Sequence, residues 1–403
     1  MEWQIPSPYA AHWTLDPAVT FLNHGSFGAC PRSVLAEQTR LRAQLERQPV
    51  AFFLRSYQPL LRTAREALGA FLAADADDLA FVSNATTGVN AVLRSLALNP
   101  GDEVICIDHA YNACANALRF VAKRAGARVV TATLPWPVES PADCVQAIAE
   151  VVTPRTVLAL IDHITSPTGI VLPIAEIVQA LKAKGVETLV GGAHAPGMLP
   201  LQLNELGAAY YVGNAHKWLC APNGVGFLHV RRDLQDTVRP TVISHGANMS
   251  VSGMSAFRLE FDWAGTADPT PALCLPESFR FFDAVLPGGM AEVMARNRAL
   301  ALRARRTLEN ALSVRPLCPE ACIGSLAAVR LPPASTPAAP PLGMDPLQEA
   351  LYQRYRIEVP IIRWPGASER LVRISAQLYN DPSQYEALAD ALQVLLAEET
   401  GAR

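Results

Sequence analysis

Lysine is almost absent from this chain. Of 34 basic residues among 403, only Lys123, Lys182, Lys184 and Lys217 are lysines. Basic blocks are missing too, and 37 acidic residues leave a formal net charge of -3, which argues against general nucleic-acid binding. No apolar run reaches the ~18 residues of a membrane span, so no membrane partner is expected. The N-terminal MEWQIPSPYAAHW has no basic segment ahead of an apolar one and does not read as a secretory signal. The eight cysteines form no CxxC pair. Cys318 and Cys322 have no matching Cys/His pair after them, so no metal site is expected. Free cysteines in apolar segments point to a reduced, cytoplasmic protein. Neither a P-loop nor GxGxxG occurs, so nucleotide-binding folds gain no support.

What is present is a large apolar fraction, 50% of residues, enough for a substantial core. Short apolar runs alternate with amphipathic ones. Strands are expected at 79–83, 103–107, 128–134, 156–162, 187–191, 210–213 and 224–231. Helices are expected near 33–47 and 57–72, from Thr87, and near 113–124, 141–152 and 173–184. This alternation predicts an α/β fold with a mostly parallel, buried sheet. After about 270 the pattern changes to a smaller α+β lobe. It has one long helix over 276–312, strands near 324–331 and 370–376, a Pro/Ala-rich loop at 332–341 and a closing helix at 382–398.

Ligands of open parallel sheets sit at the carboxyl ends of the strands, so the loops there carry the candidates. In GNAHKWLCAPNGVGFLHV (213–230), Lys217 lies between His216 and Trp218 among glycine turns. A lysine there either covers apolar surface with its stem or, desolvated, has a lowered pKa and forms a Schiff base. The other three lysines fit the first description on amphipathic helices. SNATTGVN (83–90) opens a helix, so Thr86, Thr87 and Gly88 offer an anion site unless Asn84 or Thr86 simply caps it. DHAYNA (108–113), HITSPTG (163–169) and GGAHAPG (191–197) bring His109, Tyr111 and His194 to the same edge.

Together with WAGTADPTP (263–271) and RISAQLYND (373–381), these motifs resemble the class V branch of fold-type I pyridoxal-phosphate enzymes. FLNHGSFGACP (21–31) with GNAHKWLCAPNGVGFL is more closely similar to the isopenicillin N epimerase-like group, relatives of the cysteine desulfurases. The resemblance implies an N-terminal arm over 1–30 packing near the active site, a large cofactor domain over 31–270 and a small C-terminal domain over 271–403. It implies that Lys217 binds pyridoxal 5'-phosphate covalently. Thr86, with backbone N–H groups near Ala85 and Thr87, would hold the phosphate, with further contacts from Asn214 and His216. Thr266 would reach the phosphate from a partner subunit, making the active unit a homodimer with shared sites. His194 would donate to the cofactor's phenolic oxygen, and Tyr111, or failing it His109, would stack on the ring. Arg373 would clamp the carboxylate of an amino-acid substrate, with Asn23 beside it.

Two departures stand out. The resemblance places Asp where this chain has Gly191, and no acid between Leu189 and Leu201 replaces it. That carboxylate keeps the pyridine nitrogen protonated, so Gly191→Asp is expected to bind cofactor more tightly and speed carbanion chemistry. The segment 361–373 also has no cysteine to accept a persulfide, which argues against a desulfurase. The expected function is epimerisation at the α-carbon of an amino acid, with the second acid open among His24, His109 and Tyr111. A carbon–sulfur or other β-lyase is the alternative. A pyridoxal-phosphate-binding protein with turnover impaired by Gly191 is the third.

Overall fold

Apolar segments that leave no polar face must be covered on both sides, and the main sheet is built from them. The computed structural model describes residues 7–334, 344–363 and 370–401. Its strands are β1 Thr20–Phe21, β2 Leu79–Val82, β3 Glu103–Ile107, β4 Arg128–Ala132, β5 Thr156–Asp162, β6 Glu187–Gly192, β7 Tyr210–Asn214, β8 Gly226–Val230, β9 Leu326–Leu331, β10 Ile357–Glu358, β11 Ile361–Arg363 and β12 Arg370–Ser375. Seven form one sheet in the order β2-β8-β7-β6-β5-β3-β4. β8 alone runs against the other six strands, which therefore end on the same edge.

Alternate residues of the central strands enter separate cores. Ile105, Ile107, Ala159, Ile161 and Val190 face one layer. Val104, Cys106, Leu158, Leu160 and Leu189 face the other, against the helices Ala85–Ser95 and Asn112–Ala125. This is the buried parallel sheet that the sequence pattern predicts, with helices on both sides.

A second sheet, β11-β12-β9, is antiparallel and belongs to a smaller C-terminal lobe. The helix expected over 276–312 is two helices, Leu275–Val285 and Gly289–Leu312. Pro287 removes a helical N–H, and Gly289 takes φ +59°, so the chain turns at Leu286-Pro287-Gly288. The helix Pro382–Glu399 begins at a reciprocal cap between Asp381 and Gln384. Most of the Pro/Ala-rich stretch lies outside the described residues, as does much of the segment before Arg373. No described helix is long and apolar enough to cross a membrane.

The N-terminal segment joins the two lobes. β1 pairs in parallel with β10. The turn after helix His24–Phe27 then packs on the loop that carries Lys217. Gly28 has φ +76°, and a Cβ there would lie 2.1 Å from the His216 carbonyl oxygen. Gly28→Ala therefore combines a strained backbone, of order 1–3 kcal/mol, with a backbone clash. Gly185 has a similar φ of +75° and open space around it. In urea unfolding, Gly28→Ala should cost clearly more stability than Gly185→Ala. Equal losses would mean that the close approach contributes nothing.

Candidate active site

The loop after β7 folds back on itself and presents Lys217 at the sheet edge. Cys220 N–H donates to the Lys217 carbonyl at 3.0 Å, and Ala221 N–H donates to the Ala215 carbonyl at 3.1 Å. From below, His24 Nε2–H donates to the same Lys217 carbonyl at 3.0 Å. Its Nδ1 must then accept from the Tyr379 hydroxyl, 2.8 Å away. Both nitrogens of His24 are engaged. Burial lowers its pKa to about 4. His24 thus braces the lysine backbone and is not free to act as the second acid.

The Lys217 residue keeps some solvent access, yet protein atoms crowd its amine. Desolvation and the nearby Arg373 charge lower its pKa to about 7, opposed by Asp162. Its Nζ lies 3.2 Å from His194 Nε2. The Trp218 indole N–H donates to His194 Nδ1 at 3.4 Å. An indole can only donate, so the neutral His194 ring carries its proton on Nε2 and points it at the lysine amine. Burial, with Lys217 and Arg373 adding repulsion, holds His194 well below the usual imidazole range. The resemblance implies that His194 donates to the cofactor's phenolic oxygen; in this structure its Nε2–H faces the lysine amine.

Arg373, on β12, comes into the same cluster from the small lobe. Its guanidinium donates to the Ser166 carbonyl and, at 3.1 Å, to Ser26 Oγ. Ser26 in turn donates to Asn23 Oδ1 at 2.5 Å, and Asn23 Nδ2 donates to Glu358 at 3.1 Å. Arg373 is 5% exposed, and its Nε has no partner among the described residues. None of its recorded partners is a carboxylate. Burial pulls its pKa down to about 10, partly offset by Tyr111. A desolvated guanidinium held only by neutral acceptors can take an anion as a further partner. Asn23 reaches it through Ser26, a link that sequence reasoning missed along with Ser166.

Helix Ala85–Ser95 starts at a side-chain cap. Asn84 Oδ1 caps Thr87 N–H at 2.9 Å, and Asn214 Oδ1 takes Ala85 N–H at 2.8 Å. Ala85 and Thr87 therefore have their backbone donors occupied, and Asn214 ties β7 to this helix. Thr86 N–H has no partner among the described residues, at the positive end of the helix. His216 Nδ1–H is spent on the Val225 carbonyl at 2.8 Å.

The loop after β3 divides its residues. His109 Nδ1 is 2.9 Å from Thr168 Oγ1, and the ring packs edge-on against Trp136. Tyr111 is 46% exposed, and its N–H donates to Asp162 Oδ2 at 2.9 Å. Thr266 is exposed in the loop before helix Thr270–Leu273, and no recorded bond joins it to the Lys217 cluster. Asp162, at the end of β5, is a buried acid that lies outside the sequence motifs. A charged residue closing a buried strand on the ligand edge was the available signal.

Residues 37–333 match the family model for aminotransferase class-V. The chain is 36% identical to the isopenicillin N epimerase of Streptomyces clavuligerus, over 95% of this chain and 96% of that protein. It is 31% identical to putative L-cysteine desulfhydrase 1 of Oryza sativa subsp. japonica, over 98% and 86%. The cystine C–S lyase C-DES, solved with its product cysteine persulfide, superposes with a TM-score of 0.77 at 24% identity, covering 93% of this chain and 97% of that one.

The lysine value makes a pH prediction. Folding moves the amine from an ordinary value of 10.5 to about 7, so between these the unfolded chain binds the extra proton. Stability from this group therefore rises with pH across that window, and its penalty is constant below it. Urea unfolding of the ligand-free protein should show it gaining on Lys217→Met from pH 7 to pH 10. A difference independent of pH would contradict a desolvated amine.

Proposed function

The chain belongs to the aminotransferase class-V family, and on that premise we propose that it is a pyridoxal-phosphate enzyme that epimerises the α-carbon of an amino acid. The observation that carries this reading is the pairing of a desolvated amine at Lys217, beside the neutral His194, with a buried Arg373 that has no carboxylate among its recorded partners. The residues fit the cofactor. Lys217 offers the amine, Thr86 N–H an anion donor at a helix start, and His194 a fixed N–H beside the amine. When bound, pyridoxal phosphate supplies an electron sink for the pair left on the α-carbon.

The protein residues do the rest. Arg373 takes the substrate carboxylate in a bidentate grip, which supplies the counter-charge its guanidinium lacks. Lys217, with a substantial uncharged fraction at neutral pH, accepts the α-proton, and a value of about 7 is matched to that task. His194 aims the amine, and His24 fixes its backbone. Returning a proton from the opposite face falls to Tyr111, because His24 is fully engaged and the His109 ring is tied to Thr168. The exposed Thr266 is assigned to the phosphate of a partner subunit's site, so the active unit is a homodimer. All eight cysteines are free, which suits a reducing compartment, and burial raises their thiols, Cys30 and Cys114 to about 12. Such thiols are poor persulfide acceptors.

A carbon–sulfur lyase on the same scaffold is the second reading, favoured by the likeness to the rice protein over 98% of the chain. Product analysis separates the two. Incubation with accepted amino acids in D₂O should give inverted, α-deuterated amino acid without keto acid or sulfide. Pyruvate with sulfide would establish the lyase instead.

Borohydride reduction of the holoenzyme should fix the cofactor on Lys217 alone. Label on Lys123, Lys182 or Lys184 would overturn the assignment. Arg373→Lys should raise KM about tenfold to a hundredfold, the worth of a charge-assisted pair of roughly 1.5–3 kcal/mol. An unchanged KM would remove Arg373 from the substrate site.

A further inference from the structure

Glycine stands at 191, where the resemblance places a carboxylate, but the neighbouring strand carries one. Asp162 closes β5 and is the register partner of Gly191 on β6. Paired residues on adjacent strands send their side chains to the same face. A Cβ built on Gly191 would lie 2.5 Å from Asp162 Oδ1. The Asp162 carboxylate thus occupies the volume that a side chain at 191 would need.

Its own bonding is incomplete. Asp162 is 6% exposed, and Oδ2 accepts the Tyr111 N–H at 2.9 Å. Oδ1 accepts no hydrogen bond recorded among the described residues, and no recorded ion pair involves Asp162. An acid retained only to accept the Tyr111 N–H would do so as well from a solvated position. Instead it is buried with one oxygen uncommitted, where a cationic donor would be held strongly. Burial pushes its carboxyl up to about 7, with the Tyr111 bond and Lys217 opposing the shift.

We infer that Asp162 stands in for the missing carboxylate at 191 and accepts the hydrogen bond of the protonated pyridine nitrogen of pyridoxal phosphate. This inference rests on the cofactor assignment made above. The anion keeps the proton on the nitrogen, by charge pairing and by the bond itself. Gly191 then has a positive role: its missing side chain leaves Asp162 Oδ1 where it is. The gain expected from Gly191→Asp on sequence grounds is reversed, because the added carboxylate would crowd a like charge.

The test uses the holoenzyme reconstituted with pyridoxal phosphate carrying ¹⁵N in its ring. The wild-type spectrum should report a protonated nitrogen. Asp162→Asn should shift it to the unprotonated form and weaken cofactor binding about tenfold to a hundredfold. Gly191→Ala displaces Oδ1 without changing charge and should shift the signal the same way, which keeps the test available if Asp162→Asn fails to fold. The double variant Asp162→Gly/Gly191→Asp moves the carboxylate across the register pair and should recover the protonated signal. A protonated nitrogen in Asp162→Asn, or tighter binding by Gly191→Asp alone, overturns the inference and leaves the cofactor assignment intact. Absence of borohydride label on Lys217 in the wild type would overturn both.

Discussion

Removing the Lys217 amine from water is the constraint on which the site is organised. An ammonium there would need a close anion, and none of the recorded bonds to its Nζ supplies one. Its recorded bonding partner is His194, neutral and presenting an N–H, with the tautomer set by Trp218. Its lowered pKa leaves a substantial uncharged fraction near neutral pH, the form that a nucleophile or base requires. That outcome depends on the loop after β7 being pinned from below, which His24 and the close approach of Gly28 accomplish. The N-terminal segment is thus part of the site's construction.

The charge inventory is lopsided in an informative way. Arg373 is buried among neutral acceptors, Thr86 N–H faces outward from a helix start, and Asp162 has a single N–H donor. Two of these want an anion, and the third wants a cation. A molecule bearing a phosphate, a ring nitrogen that can be protonated, and a carbonyl for Lys217 answers three of the four needs. The carboxylate of an amino acid answers the remaining one, at Arg373. No metal is required for that complementarity.

Much of the candidate site was legible because its residues fall in short motifs just after buried strands. Periodicity located the strands, and the polar residues following them found Lys217, His194 and the Asn84–Thr87 turn. What escaped was information held across strands. Asp162 and Gly191 are 29 positions apart in sequence yet side by side in register, so a search confined to Leu189–Leu201 could not pair them. The links from Arg373 to Ser26 and Ser166 cross from one lobe to the other and leave no local pattern. In the small lobe, β10, β11 and the helix Pro346–Tyr355 went unread because each is short or weakly amphipathic. The break between Val285 and Gly289 was legible from Pro287-Gly288-Gly289, but apolar periodicity on either side outweighed it.

The protonation state of Lys217 can be observed directly, because a chain with four lysines labelled with ¹⁵N at Nζ has only four side-chain signals. Titration of the ligand-free protein, with Lys217→Met to assign the signal, measures the amine itself. The Lys217 signal should titrate with a midpoint near 7. A midpoint at the ordinary lysine value of 10.5 would mean a solvated ammonium, and would contradict the chemistry assigned to the site.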